Sequence, residues 1–134
     1  MSEITRTSPT TLMLDFLELT FAELAGQVGV ELPESEQYAG GKYYAQVFQV
    51  DGPADIFGQE PVLDIAVFHQ NWRNAEKMAF HVEAALLGYP HRVSSGGKSV
   101  VIDRVYVPSA AHELPWEPGD ATRFNMTVQL VLRG

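Results

Sequence analysis

The side chains able to do chemistry in this sequence are few, and their spacing builds no recognisable catalytic or metal motif. Histidines stand at 69, 81, 91 and 112, and no two share the i, i+4 helix spacing of a two-histidine metal site. His69 and Asp64 fall on one predicted strand, five residues apart, which sends them to opposite faces. A catalytic dyad there needs help from elsewhere in the fold, and a surface or strand-end imidazole is the commoner role. His112 and Glu113 form an acid–base pair only if their loop folds over a pocket, and a solvated loop is the commoner outcome. Asp64 and Asp103 could meet across strands and raise one carboxyl pKa for proton transfer, although nothing in the spacing requires it. Gly40-Gly41 and Gly96-Gly97 are too short to cradle a phosphate, and no G-x-x-x-x-G-K-[ST], G-x-G-x-x-G or G-x-S-x-G occurs. The absence of cysteine removes disulfides, iron–sulfur clusters and thiol nucleophiles, and leaves the redox compartment open. The expectation is a protein with no catalytic residues, no metal and no cofactor.

Composition points the same way. The 134 residues suit one domain, 1–134, with residues 1–9 expected as a flexible N-terminus, and 46% hydrophobic content supports a packed core. Nine Lys and Arg against 17 Asp and Glu give a net charge of −8, the reverse of a phosphate-tracking protein. The charge is uneven: residues 1–67 hold eleven acids against Arg6 and Lys42, a net of −9, and residues 68–134 a net of +1. Such polarity suits copies meeting head to tail, unless the halves interleave and no dipole survives. Met1–Thr11 reads as no secretion signal, and Leu12–Val30 is broken by Asp15, Glu18, Glu23 and Gln27, so no membrane span is expected.

The elements follow from periodicity. Met13, Leu17, Phe21, Leu24 and Val28 recur at helical spacing and predict a helix over 10–27, capped by Ser8 or Thr10. Leu12, Phe16 and Leu19 widen its apolar arc beyond what one side of a small sheet needs, leaving part of it to face another subunit. Residues 30–42 read as an exposed loop, and strands are predicted over 42–50 and 62–69, joined by a Gly/Pro-rich link over 51–61. A second helix runs from Asn71 or Asn74 to Leu87, stopped by Gly88 and Pro90. Ser94–Ser99 reads as a turn, 100–107 as a strand, 108–120 as a connection and 122–133 as the last strand. The order is α-β-β-α-β-β, an α+β fold with a mostly antiparallel four-stranded sheet and two helices packed on one face. Trp72, at the start of the second helix, and Trp116, in the long connection, are contact anchors or ordinary edge-of-core residues.

With these elements in place the chain resembles tail terminator proteins of long-tailed phages, especially those infecting actinobacteria. The likeness is carried by Val62-Leu-Asp-Ile-Ala-Val-Phe68, the helix Ala75-Glu-Lys-Met-Ala-Phe-His-Val-Glu-Ala-Ala-Leu-Leu-Gly88, the strand Val101-Ile-Asp-Arg-Val105 and the final strand Arg123–Arg133. The strand Tyr44-Ala-Gln-Val-Phe-Gln-Val50 and the opening helix fit the same plan. The resemblance implies a virion protein, assembled in the host cytoplasm, that forms a ring of about six subunits on the head-proximal end of the tail tube. It implies partners: further copies of itself, the major tail tube protein and head-completion or connector proteins. Genomic DNA would pass without specific binding, and no membrane is involved. Within that frame the expected interface residues are Leu12, Phe16, Leu19, Trp72 and Trp116, and the loop acids Asp51, Asp55 and Glu60 are candidates to line the channel. The rivals are a connector subunit on the portal side and a small α+β enzyme using Asp64, His69 or Asp103.

Overall fold

The computed structural model describes residues 8–51 and 60–133, the Asp51 side chain excepted. The first helix, α1 (Pro9–Thr20), starts where the Ser8 hydroxyl accepts a hydrogen bond from the Thr11 N–H at 3.0 Å and Pro9 supplies the pre-set φ of a first turn. It ends at Thr20 rather than Gln27, because Phe21 is extended. Leu24 and Val28 continue the helical spacing without continuing the helix. A 3-10 turn (Ala22–Leu24) delivers the first and a short strand, β1 (Val28–Gly29), the second. The Glu18 carboxylate accepts from the Gly26 N–H at 2.8 Å and holds the reversal, with Gly26 at φ 72°.

After β1 come a one-turn helix α2 (Ser35–Tyr38), strands β2 (Tyr44–Asp51) and β3 (Val62–His69), helix α3 (Trp72–Leu87) and strands β4 (His91–Ser95), β5 (Lys98–Leu114) and β6 (Thr122–Arg133). The expected four-stranded, mostly antiparallel sheet with two helices on one face is therefore incorrect. The sheet has six strands in the order β1-β2-β3-β6-β5-β4, is mixed because β1 runs parallel to β2, and curls into a half-barrel. The described residues form three α-helices rather than two.

The added elements have local causes. Gly96 and Gly97, at φ 61° and 76°, form a two-residue hairpin turn, which requires strands directly on both sides. Ser94, Ser95 and Ser99 therefore belong to β4 and β5 and not to a turn. β4 pairs only with Lys98–Ile102, so the rest of β5 has one open edge. There Pro108, which lacks a donor, is accommodated with register shifts on either side of Ser109, and the strand continues to Leu114.

The helix-side face of the sheet holds the main core. Leu12, Met13, Phe16 and Leu17 of α1 and Ala75, Met78, Ala79, Val82 and Leu86 of α3 pack onto Leu63, Ile65, Met126, Val128 and Leu130. α3 opens with the Asn71 side chain accepting from the Asn74 N–H at 3.0 Å. A second cluster, Tyr38, Tyr44, Ala66 and Phe68, lies on the opposite face, where α2 and the β5–β6 connection supply the cover. No helix among the described residues is long and apolar enough to cross a membrane.

Candidate assembly site

Asp64, His69 and Asp103, the candidate catalytic side chains, stand apart from one another. Asp64, on the outer face of β3, accepts from the Thr127 hydroxyl at 2.6 Å. His69 is buried at the end of the same strand, its Nδ1 accepting from the Asn71 N–H at 2.9 Å and its Nε2 lying 3.0 Å from the Gly41 carbonyl oxygen. Asp103 pairs with Arg133 at 3.3 Å, two strands away from Asp64 across β6. His112 is exposed beside its own Ala110 carbonyl, and the neighbouring Glu113 accepts from the Trp72 indole at 2.9 Å. Among the described residues no group of three or more potential metal ligands occurs.

The expected interface residues separate into two kinds. Leu12 and Phe16 are buried in the protomer's own core, because the arc that looked too wide for one sheet is wrapped by a curled one. They are not available to a partner. Leu19, at 72% exposure, and Trp72, at 47%, face solvent. Trp116 packs edge-on against Phe68, ring centroids 5.0 Å apart, and its indole donates to the Tyr38 hydroxyl at 3.3 Å, so it anchors its own loop. Of the expected channel acids, Glu60 is exposed and lies 3.5 Å from the Gln129 amide, while Asp55 and the Asp51 side chain fall outside the described residues.

The sequence reads residues 30–42 as an exposed loop and places Gln27 and Val28 with the first helix, yet the segment 27–38 is built and pinned. The Gln27 amide donates to the Gln37 and Tyr43 carbonyls at 2.6 and 2.9 Å, the Tyr44 hydroxyl to the Glu31 carbonyl at 3.1 Å and the Gln46 amide to the Val30 carbonyl at 3.3 Å. Gly29 passes so close to the Tyr44 hydroxyl that a Cβ would collide with it. Glu34 and Gln37 form a capping box that starts α2. The segment thereby walls a cleft of about 500 Å³ presenting Glu31, Glu34, Glu36 and Leu32 over Tyr44. Burial first, and then the Glu31 charge, raise the Tyr44 phenol above its ordinary pKa. The capping pair Glu34 and Gln37 was the sequence signal that could have revealed this helix.

A hydroxyl–carboxylate network ties the segment to the β5–β6 connection on the same face of the sheet. Tyr38 and Ser35 donate to the two Asp120 oxygens at 2.5 and 2.8 Å, across more than 80 residues of chain. The Tyr38 hydroxyl first, and that of Ser35 second, hold the Asp120 carboxyl below its ordinary pKa. A depressed carboxylate contributes stability above the unfolded-state pKa of about 3.9 and loses it as the pH falls through the folded-state value. Asp120→Asn is therefore expected to lie below the wild type in melting temperature at neutral pH, with the gap closing below about pH 4. Thermal melts between pH 2 and 7 check this, and a gap independent of pH would contradict it.

Compared with solved structures, the chain is similar to one from the virion of a native gene transfer agent (GTA) particle. The TM-score is 0.59 over 95% of this chain and 96% of that one, at 17% sequence identity. At that identity the likeness is one of fold, and it runs nearly end to end. No protein-family model and no curated protein sequence matches the chain.

Proposed function

We propose that the chain is a virion structural protein of the phage type, and specifically a tail terminator: a ring, with six subunits expected, that caps the head-proximal end of the tail tube. It would stop tube polymerisation and offer the surface to which head-completion or connector proteins join. The observation that carries this reading is the fold shared over almost the whole chain with a chain of a virion particle. The resemblance of Pro61–Arg133 to tail terminators supplies the finer assignment.

The physical character of the surface supports a structural rather than catalytic role. The candidate acids and histidines are engaged in separate local contacts, whereas the built cleft is polar, acidic and shallowly walled by a single segment. A net charge of −8 favours a channel that DNA traverses without sticking, with Glu60 the described candidate to face it. Immobilised protein should capture purified major tail tube protein and leave portal protein in the flow-through. Capture of portal protein alone would make it a connector subunit instead.

A further inference from the structure

We infer that copies of this chain meet head to tail through two oppositely charged corners of the outer sheet face; the inference rests on the ring reading and supplies its contact. The basic corner is set by strand register. Arg92 of β4, Val101 of β5 and Arg133 of β6 stand directly opposite one another, and Arg104 pairs with Val131, two residues from Arg133 on the same strand. Side chains opposite each other share a face, and alternation places all three arginines on the side away from the core residues Leu130 and Leu132. The exposed ring of Tyr106, opposite Gln129, extends the patch. Asp103, paired with Arg133, and Glu60, 3.5 Å from the Gln129 amide, offset part of this charge.

The acidic corner is the cleft edge at the other end of the sheet. Tyr44, at its floor, is in register with Phe68, which is in register with Arg123. Ten residues of β6 therefore separate the two corners along the strands, roughly 30 Å, with further strands between them laterally. Glu31, Glu34 and Glu36 sit here with Val30 and Leu32, both more than half exposed. Each corner thus combines exposed apolar surface with an excess of one charge, arginines around β4 to β6 and glutamates at the cleft, where Arg123 over Phe68 is the opposing cation. The glutamate cleft lies by the β1–β2 edge of the sheet and Arg92 on the β4 edge, although α1, also from the acidic half of the sequence, packs on β4 with Asp15 accepting from the Ser95 hydroxyl.

Two complementary patches set far apart on one molecule cannot satisfy each other within it. They make a heterologous contact, which closes into a ring when the rotation permits. The occupant of each corner is the opposite corner of a second copy. Opposed charges steer that encounter and fix its register, while Tyr106, Val30 and Leu32 exclude water.

The test uses two charge-reversed variants of the full chain, Arg92→Glu with Arg104→Glu, and Glu31→Lys with Glu36→Lys. Self-association is measured by light scattering over a range of concentration and salt, free and with tail tubes present. Thermal melts verify that each variant is folded. Each variant alone is expected to associate at least tenfold more weakly than the wild type. An equimolar mixture is expected to recover association, because alternating the variants restores opposite charge at every contact. Variants that associate like the wild type, a mixture that recovers nothing, or a wild type that associates in neither setting would overturn the contact. So would a wild type that stays monomeric and binds duplex DNA through Arg92 and Arg104. Variants that are monomeric yet still cap tubes would remove the corner contact and leave the terminator reading standing. Wild-type rings that ignore tubes would do the converse.

Discussion

Phe16→Ala is expected to lower stability by about 3–5 kcal/mol, whereas Leu19→Ser, one turn further along the same helix, should change it by less than about 0.5 kcal/mol. The two residues lie in the same wide apolar arc of the sequence, but the sheet encloses one and leaves the other in water. Phe16 is 4% exposed, its ring meets His91 edge-on with centroids 4.9 Å apart, and α1 has no other aromatic with which to hold β4. Truncation removes the transfer free energy of the ring and leaves a cavity that α1 can close only by moving away from the sheet. With total stability of about 5–15 kcal/mol for a domain of ordinary size, such a loss leaves a marginal fold. Urea unfolding of both variants measures it. Similar losses for the two would mean that α1 is not seated as described.

The second large effect is expected at Phe68. Phe68→Ala should cost about 3–5 kcal/mol and, unlike Phe16→Ala, should release the outer-face loops. The ring is fully buried beneath Trp116, lies 6.3 Å from the Tyr44 ring centroid, and carries the Arg123 guanidinium 5.6 Å above it. Burial lowers the Arg123 pKa, an effect partly opposed by the Asp64 charge, so the ring face supports a cation that has lost water. Trp116 and Tyr38 share this cluster and the Asp120 hydrogen bonds, so losses at Phe68 and Tyr38 should be less than additive. Denaturant unfolding gives the free energy, and the Trp116 fluorescence maximum, read in a Trp72→Phe background, reports whether the loop leaves the sheet. An unchanged emission maximum would contradict the role assigned to Phe68.

The sequence was most legible where one periodicity ran uninterrupted. Val62–His69 is an unbroken β-branched and apolar run buried on both faces, most of Thr122–Arg133 alternates, and α3 carries both its cap, Asn71, and its stop, Gly88. Legibility failed where a local signal had two structural solutions. Leu24 and Val28 keep the spacing of α1 although a 3-10 turn and a strand deliver them, and only the extended backbone of Phe21 separates the two cases. The serines beside Gly96-Gly97 look like loop residues until the two-residue turn is seen to demand paired strands. Pro108 argues against a strand interior in general but not on an edge, and β5 becomes an edge only because β4 is short. The assembly site was the least legible part. Glu31, Glu34 and Glu36 read as solvated charge until Tyr44, Gln46 and Gln27 are seen to pin their loop, and Arg92, Arg104 and Arg133 share a face only through strand register.

The most direct test of the central claim is the length distribution of tail tubes polymerised from purified major tail tube protein, with and without this protein, measured by negative-stain electron microscopy. Tubes are expected to stop growing once the protein is added and to carry a ring at one end. Tubes that keep lengthening with bare ends at saturating protein would contradict it.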